Sequence, residues 1–565
     1  MDRLISKKTG TYAETLEAIG LASLLEGLGC RGVTIRDLGA EFHVSTTDDV
    51  SPENWHCPEP GYPYIWERGK ENKPPFQQLL DYEACKAKAE VWKKFQQTQK
   101  KSRGRAKAAL EQQALEAPPQ PPREYKAAAI LAYMRKGWDG DRALAKWLHD
   151  NPNETLLWIR GRLGLTKGPS GEPAMSNTQV LNPISGKGVS ASKTEWRSPS
   201  SIPSSLIDPF AEWMKLRGLW AGMLLFRTDD DFKFYVLEPG SITLGGLKTV
   251  KNAMEGLNLW GGVRLDIEAA LRCVELLIFY SDVLQTQPAA PIGLRGLTPR
   301  KVITGLRQAY FKSLGTAAAL MSDAMLPLPE WFTIETRDDA TDYLEIIEEA
   351  IGSDSGGTRT AGCLGSLEER NSDDGRILHQ YRRWLLTGEL TELLEFHYQF
   401  AVHLMQRLSK NEWAKQFMTS LLDKLIIKSY GEKQPMLKQI VEDKGFRSLA
   451  RAIRNSTIYA IGLENREVHF GLAQRWKQKL KAGKKEFASE LSEFVQAQNW
   501  EVIHRLKGKG HVVETTDLDA VLMLVEQHGA ELVGALLLAY GYARAPKVDE
   551  VDEGKQEEAA ATVNR

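Results

Sequence analysis

Cysteine is scarce and unpaired in this chain. Cys30, Cys57, Cys85, Cys273 and Cys363 are odd in number, widely separated and form no C-x-x-C pair. That spacing argues against a disulfide framework and a cysteine-rich zinc site. No uninterrupted apolar run reaches the roughly 18 residues of a membrane span, and the start MDRLISKKTG has no apolar secretion segment. We therefore expect a reducing cytoplasm and no membrane partner. Net charge is also missing, because 73 Lys and Arg against 74 Asp and Glu leave −1. The overall balance neither favours nor opposes a polyanionic partner, so local patches must carry that argument.

Catalytic signatures are absent as well. The chain has no G-x-S-x-G, no H-E-x-x-H and no Walker motif. ISGKGVS resembles part of a phosphate loop, but Gly188 takes the Ser/Thr position and no glycine stands five residues before Gly186. His397 and His403 are six residues apart, roughly 240° around a helix, and so cannot share a metal as an i, i+4 pair would. We expect them in packing roles. His149-Asp150 is an HD dipeptide of the kind phosphohydrolases use, without recognisable companion ligands. The three aspartates Asp229, Asp230 and Asp231 would splay at a hairpin tip and make a poor cation site. No cofactor is expected, and a binding or scaffold protein is favoured over an enzyme.

With 565 residues, 42% of them hydrophobic and 26% charged, the chain can bury a large core. A chain of this length divides into about three or four domains. The pattern predicts an α+β fold, with a mixed N-terminal and middle region containing short hairpins and then a C-terminal all-α bundle. We expect an N-terminal region over 1–150, a middle region over 151–375, a bundle over 376–545 and an acidic, disordered tail over 546–565. Thr11 and Glu14 fit a capping box that opens a helix stopping at Gly27 and Gly29. Val33 to Arg36 and Glu41 to Thr46 read as a hairpin across Asp37-Leu38-Gly39, and Met223 to Thr228 with Phe232 to Glu238 as another. Residues 52–76, rich in proline and aromatics, should run extended and pin a long loop to the body rather than stack bases. Beyond Asp266 the pattern is mainly helical. Leu393, Phe396, Phe400, Leu404 and Leu408 line one helix, while Leu518, Val521, Leu522 and Val525 line another that ends at Gly529. Leu532 to Tyr540 is apolar almost all round and should be central.

Cations cluster in four places. Between Lys86 and Lys107 nine basic residues face the single acid Glu90, as a helix whose far end, with Lys100, Lys101, Arg103 and Arg105, forms a polar arm before the stiff stretch Pro118 to Pro122. The long Gly/Ser/Pro/Asn segment Gly164 to Ser205 carries Lys187, Lys193 and Arg197 among small residues. In FRSLARAIRNSTIYA, Phe446, Leu449, Ala450 and Ile453 bury one helix face, and Arg447, Arg451 and Arg454 form a stripe rotated about 100° from it. Arg475, Lys477, Lys479, Lys481, Lys484 and Lys485 then crowd into eleven residues with no carboxylate before Glu486. Arginine forks onto phosphate oxygens and lysine adds mobile point charge, so these groups suit a nucleic-acid backbone as well as an ordinary solvated face. A packing helix follows, with Phe487, Leu491, Phe494 and Val495 on one side and Glu486, Glu490 and Glu493 largely on another.

The segments TGTYAETLEAIGLASLL (Thr9 to Leu25), IRNSTIYA (Ile453 to Ala460), FGLAQRW (Phe470 to Trp476) and EFASELSEFVQAQNWE (Glu486 to Glu501) resemble the large-subunit family, Cas-eight, of type I CRISPR Cascade complexes. The nearest form is the cyanobacterial or myxobacterial type I-B branch. The resemblance covers about a fifth of the chain, at its two ends. It implies a non-enzymatic subunit that senses the PAM duplex beside the target, helps open the DNA, and touches the guide RNA's 5′ end and a backbone subunit. It also implies a C-terminal bundle resembling the complex's small subunit, which guides the displaced strand along a basic face. The downstream effector would be a helicase-nuclease or transposition proteins. Met405 and Met418 are candidate internal starts for a separate small subunit. On this view Lys187, Lys193, Arg197 and the arm Lys100 to Arg105 contact the PAM-side duplex. Arg447, Arg451, Arg454 and Arg475 to Lys485 take the single strand. The alternatives are a metal-dependent nuclease or phosphohydrolase using His149 and Asp150, and a helical protein–protein scaffold without nucleic acid.

Overall fold

The computed structural model describes residues 1–66, 79–101, 144–168, 173, 181–183, 208–228, 231–257, 259, 261–285, 290–313, 318–355, 358–461, 463, 466–507 and 510–546. The outer part of the basic arm, most of the Gly/Ser/Lys segment, the Pro118 to Pro122 stretch and the acidic tail lie outside the described residues. The fold is α+β, with its two four-stranded sheets built from strands that end at Pro327 and a largely helical remainder. Two compact units account for the chain, Met1–Gly256 with Val302–Leu326, and Leu257–Lys301 with Pro327–Arg565.

The first unit holds two four-stranded sheets. One has the order β1 (Asp2–Ser6), β3 (Glu41–Ser45), β2 (Thr34–Asp37), β8 (Ser241–Thr243). Its β2–β3 hairpin stands where the alternation placed it, with Thr34 opposite Ser45 and the turn closed at Gly39, whose φ of 89° suits glycine. The second has the order β10 (Ala318–Pro327), β9 (Ile303–Ser313), β7 (Asp231–Pro239), β6 (Met223–Thr228). The β6–β7 pair is the second expected hairpin. In contrast, β9 and β10 correct the expectation of mainly helix beyond Asp266: β9 is mostly buried and pairs with β7 from some 70 residues earlier, and β10 extends the sheet beyond β9. A short parallel pair joins β4 (Tyr64–Trp66) to β5 (Leu79–Asp81).

Helix α1 (Tyr12–Gly27) begins as expected at Thr11, whose hydroxyl accepts the Ala13 amide at 3.2 Å. Glu14 departs from the capping box by accepting the Thr9 amide and hydroxyl, each at 2.9 Å. After α2 (Tyr82–Lys101), α3 (Leu144–Asp150) and α4 (Pro152–Arg162), helix α5 (Pro209–Gly222) packs on α1. The crossing is backbone-close. A Cβ on Gly20 would lie 1.7 Å from the Met214 carbonyl oxygen, and one on Gly218 would lie 1.8 Å from that of Leu16. The proline-rich segment is pinned to this body. Trp55 Nε1 donates to Val50 O at 2.9 Å, Trp213 Nε1 to Pro60 O at 3.0 Å, and buried Arg217 to Glu59 O at 2.6 Å. Buried Glu238 binds β7 to β9 and α1, accepting from Arg307 Nε at 2.7 Å and Thr15 Oγ1 at 2.9 Å. Helix α6 (Leu244–Gly256) closes the unit's first segment.

The second unit is helical: α7 (Val263–Phe279), α8 (Arg337–Ile351), α9 (Ser372–Thr387), α10 (Leu390–Ser409), α11 (Thr419–Tyr430), α12 (Met436–Glu442), α13 (Lys444–Ser456), α14 (Leu472–Ala482), α15 (Lys484–Trp500), α16 (Thr515–His528) and α17 (Ala530–Gly541). Helix α17 is central as expected, with Val533, Leu536, Leu537 and Tyr540 fully buried against α10, α13, α14 and α16. Helix α16 ends at Gly529 with φ 91°. Trp331 stacks between Tyr343 and Trp384, at 4.8 and 5.3 Å between ring centroids.

Candidate nucleic-acid interface

Helix α13 is where the sequence puts three arginines on one stripe. Phe446, Leu449, Ala450 and Ile453 are buried, so the packing face is as expected. The arginines are not all left for a ligand. Arg454 is 6% exposed and donates Nε to Ala543 O and Nη2 to Tyr540 O, the latter at 3.0 Å. Tyr540 O lies in the last turn of α17 and Ala543 O just beyond it, where the partial negative charge of the helix end accumulates. Arg454 is thus a clamp inside the bundle. Arg447 pairs with Asp423 at 2.6 Å, and its guanidinium carbon lies 4.9 Å from the centre of the Tyr540 ring. Asp423 also accepts the Tyr540 hydroxyl at 2.7 Å. Arg451 is half-buried.

The α14–α15 connection has a different arrangement. Leu472, Ala473, Trp476 and Leu480 are buried on α14, and Phe487, Leu491, Phe494 and Val495 on α15. Trp476 lies between Phe487 and Phe494, at 5.4 and 5.5 Å in edge-to-face contact. With those faces inward, Lys479, Lys481 and Lys485 are exposed. Gly483, φ 130°, makes the turn between the helices. The remaining cations of the run have partners. Arg475 pairs with buried Glu490, Lys477 with Glu395 at 2.5 Å, and Lys484 reaches Glu526 O at 2.7 Å. Glu490 therefore belongs to the interior, whereas Glu486 and Glu493 are exposed as expected.

Of the other expected contacts, Lys100 and Lys101 close α2, whose Lys86, Lys88, Lys93 and Lys94 are exposed. Arg103, Arg105, Lys187, Lys193 and Arg197 lie outside the described residues. His149 and Asp150 are exposed at the end of the seven-residue α3. Among the described residues no group of three or more His, Cys, Asp or Glu is arranged to hold a metal.

His397 and His403 are both buried, in keeping with packing roles. His397 lies against Phe417 at 5.1 Å, and burial pushes its pKa down to about 4. His403 joins Asp374 through Nδ1 at 3.0 Å and Ser366 Oγ through Nε2 at 3.3 Å. This chain has the order of a serine relay, a pattern the sequence hides because its members are far apart. Ser366 also donates to Cys363 O at 3.1 Å, and every member is under 9% exposed, so the relay ties the 363–366 turn to α9 and α10. A cavity of about 20 Å³ nearby is lined by Glu349, Tyr381, Phe396, His397, Phe417 and Leu425, among others. There burial pushes the Glu349 carboxyl up to about 8, although it accepts the Met418 amide.

Comparison with protein-family models finds none that matches this chain, and comparison with curated proteins finds no match.

Proposed function

We propose that this chain is the non-catalytic large subunit of an RNA-guided type I surveillance complex. In this role it senses a short PAM duplex, helps open the DNA and holds the displaced strand along its helical C-terminal unit. Its partners would be a guide RNA, PAM-flanked target DNA, the complex's backbone and small subunits, and an effector that is either a helicase-nuclease or a transposition apparatus. The observation that carries this reading is the exposed lysine set Lys479, Lys481 and Lys485, set on two helices whose apolar faces are locked around Trp476. It lies between two of the segments that resemble the large-subunit family, Phe470 to Trp476 and Glu486 to Glu501. Lysines presented by a rigid support neutralise successive phosphates without reading bases, which suits a strand of any sequence while guide pairing supplies specificity. Helix α13 contributes mainly by holding α17 in place.

The test is co-purification of the tagged chain with the products of neighbouring genes, sequencing of bound RNA, and a duplex-binding assay with a randomised flank. Recovery of a repeat-derived guide RNA, with flank-dependent binding that disappears when this chain is omitted, is the expected result. A protein that purifies without RNA and shows no DNA preference overturns the reading. Stoichiometric metal with phosphodiester turnover would favour the hydrolase alternative instead.

A further inference from the structure

Resting on that reading, we infer that the end of α15 carries a base-stacking platform for single-stranded nucleic acid, separate from the lysine set. Helix α15 does not simply stop. It widens into a π-helical turn, Glu501–Arg505, closed by the Leu506 amide on Glu501 O at 3.2 Å. Lys507 then takes the left-handed backbone with φ 53°, a conformation that side-chain-bearing residues adopt at a cost and that recurs at functional sites. This geometry leaves Trp500 56% exposed and Ile503 52% exposed. His504 lies against the indole at 5.2 Å, and the Arg505 guanidinium carbon is 5.8 Å from its centre.

A second segment is tied alongside. The Glu467 amide donates to Glu501 Oε1 at 2.7 Å, and the Glu467 carboxylate pairs with Arg505 at 3.1 Å. Three residues on, Phe470 is 59% exposed just before α14. Trp500 and Phe470 are thus large rings in water, on neighbouring backbones, with His504, Arg505 and Lys507 exposed beside them. An apolar protein partner would be served by the rings alone. Rings accompanied by cations match a single strand, whose bases stack on aromatic faces while its phosphates meet the charges. Duplex DNA keeps its bases stacked on each other and cannot use the rings.

The experiment measures binding of oligothymidylate and of a blunt duplex to the full-length chain across a salt series. Trp500→Ala should weaken oligothymidylate binding about tenfold at every salt concentration, leaving the slope against log salt unchanged, because stacking releases no counterions. Duplex binding should not change, and Trp500→Phe should restore most of the lost affinity. Arg505→Ala should instead lower the slope by about 0.7. Trp500 is exposed, so its replacement should leave the fold intact, and an unchanged unfolding midpoint checks this. Unaltered single-strand binding by Trp500→Ala overturns the platform. So does loss of a co-purifying protein with nucleic-acid binding intact, which would make the surface a protein dock. If the wild-type chain binds neither oligonucleotide, the broader nucleic-acid reading fails, and the platform with it.

Discussion

Helix α13 and the α14–α15 connection present the same feature in sequence, a run of cations beside an apolar face, but the fold uses them differently. Arg454 is drawn into the bundle to satisfy carbonyls at the end of α17, and Arg447 is held by Asp423 and the Tyr540 ring. Lys479, Lys481 and Lys485 stay in water. The side-chain chemistry explains the division. Guanidinium spreads its charge over a planar fork that can satisfy several fixed acceptors, and it sheds water more readily than a compact ammonium. In these two regions, the cations that the fold's own acceptors take up contribute to packing, and the lysines left in water are the ones offered to a ligand.

The sharpest way to break this comparison is at Arg454. Arg454→Ala removes the guanidinium from the Ala543 and Tyr540 carbonyls, leaving the latter with the Ala543 amide, and should destabilise the helical unit by about 3 kcal/mol, measured by denaturant unfolding. A loss below the usual surface range would return Arg454 to the candidate interface. Glu349 extends the comparison to a buried acid. Its folded pKa of about 8 stands above its ordinary 4.5, so the stability it contributes is complete below pH 4.5 and is lost as pH rises toward 8. His397, at about 4 against an ordinary 6.5, contributes stability that is present above pH 6.5 and lost as pH falls toward 4. Glu349→Gln should therefore remove a decline of about 2 kcal/mol between pH 6.5 and 8, seen as a flatter profile of unfolding midpoint against pH. The same decline persisting in the variant would place the titration elsewhere.

Arg447→Ala should cost about 1 kcal/mol, because its ion pair is partly exposed while its stem and ring contact are also lost. The smallest stability effect belongs to the lysines. Replacing Lys479, Lys481 and Lys485 together by alanine should shift stability by less than about 0.5 kcal/mol, yet lower the log–log salt slope of single-strand binding by about 2. A large stability loss with an unchanged slope would invert the contrast between the two regions.

Much of the fold was legible locally. Alternation gave the β2–β3 and β6–β7 hairpins to within a residue or two, Thr11 marked the start of α1, Gly529 the end of α16, and the all-round apolar composition of α17 its central place. Each is decided by groups within a few residues of one another. Strand β9 was not legible, because the partner that makes it a strand is β7, some 70 residues earlier in the chain, and β10 depends in turn on β9. The close α1–α5 crossing was hidden for a related reason, since Gly20 and Gly218 have a shared role only once two distant helices meet.

The interface divides along the same line. Sequence by itself determined that cations crowd at Arg447 to Arg454 and at Arg475 to Lys485, and which apolar residues turn each helix inward, because helical period fixes which side chains share a face. Only the tertiary structure decided that Arg454 meets the end of α17, that Glu490 takes Arg475, and that Trp500 stands in water beside Arg505. Whether a charge finds a partner depends on acceptors brought in from other elements, and periodicity within one helix carries no information about them.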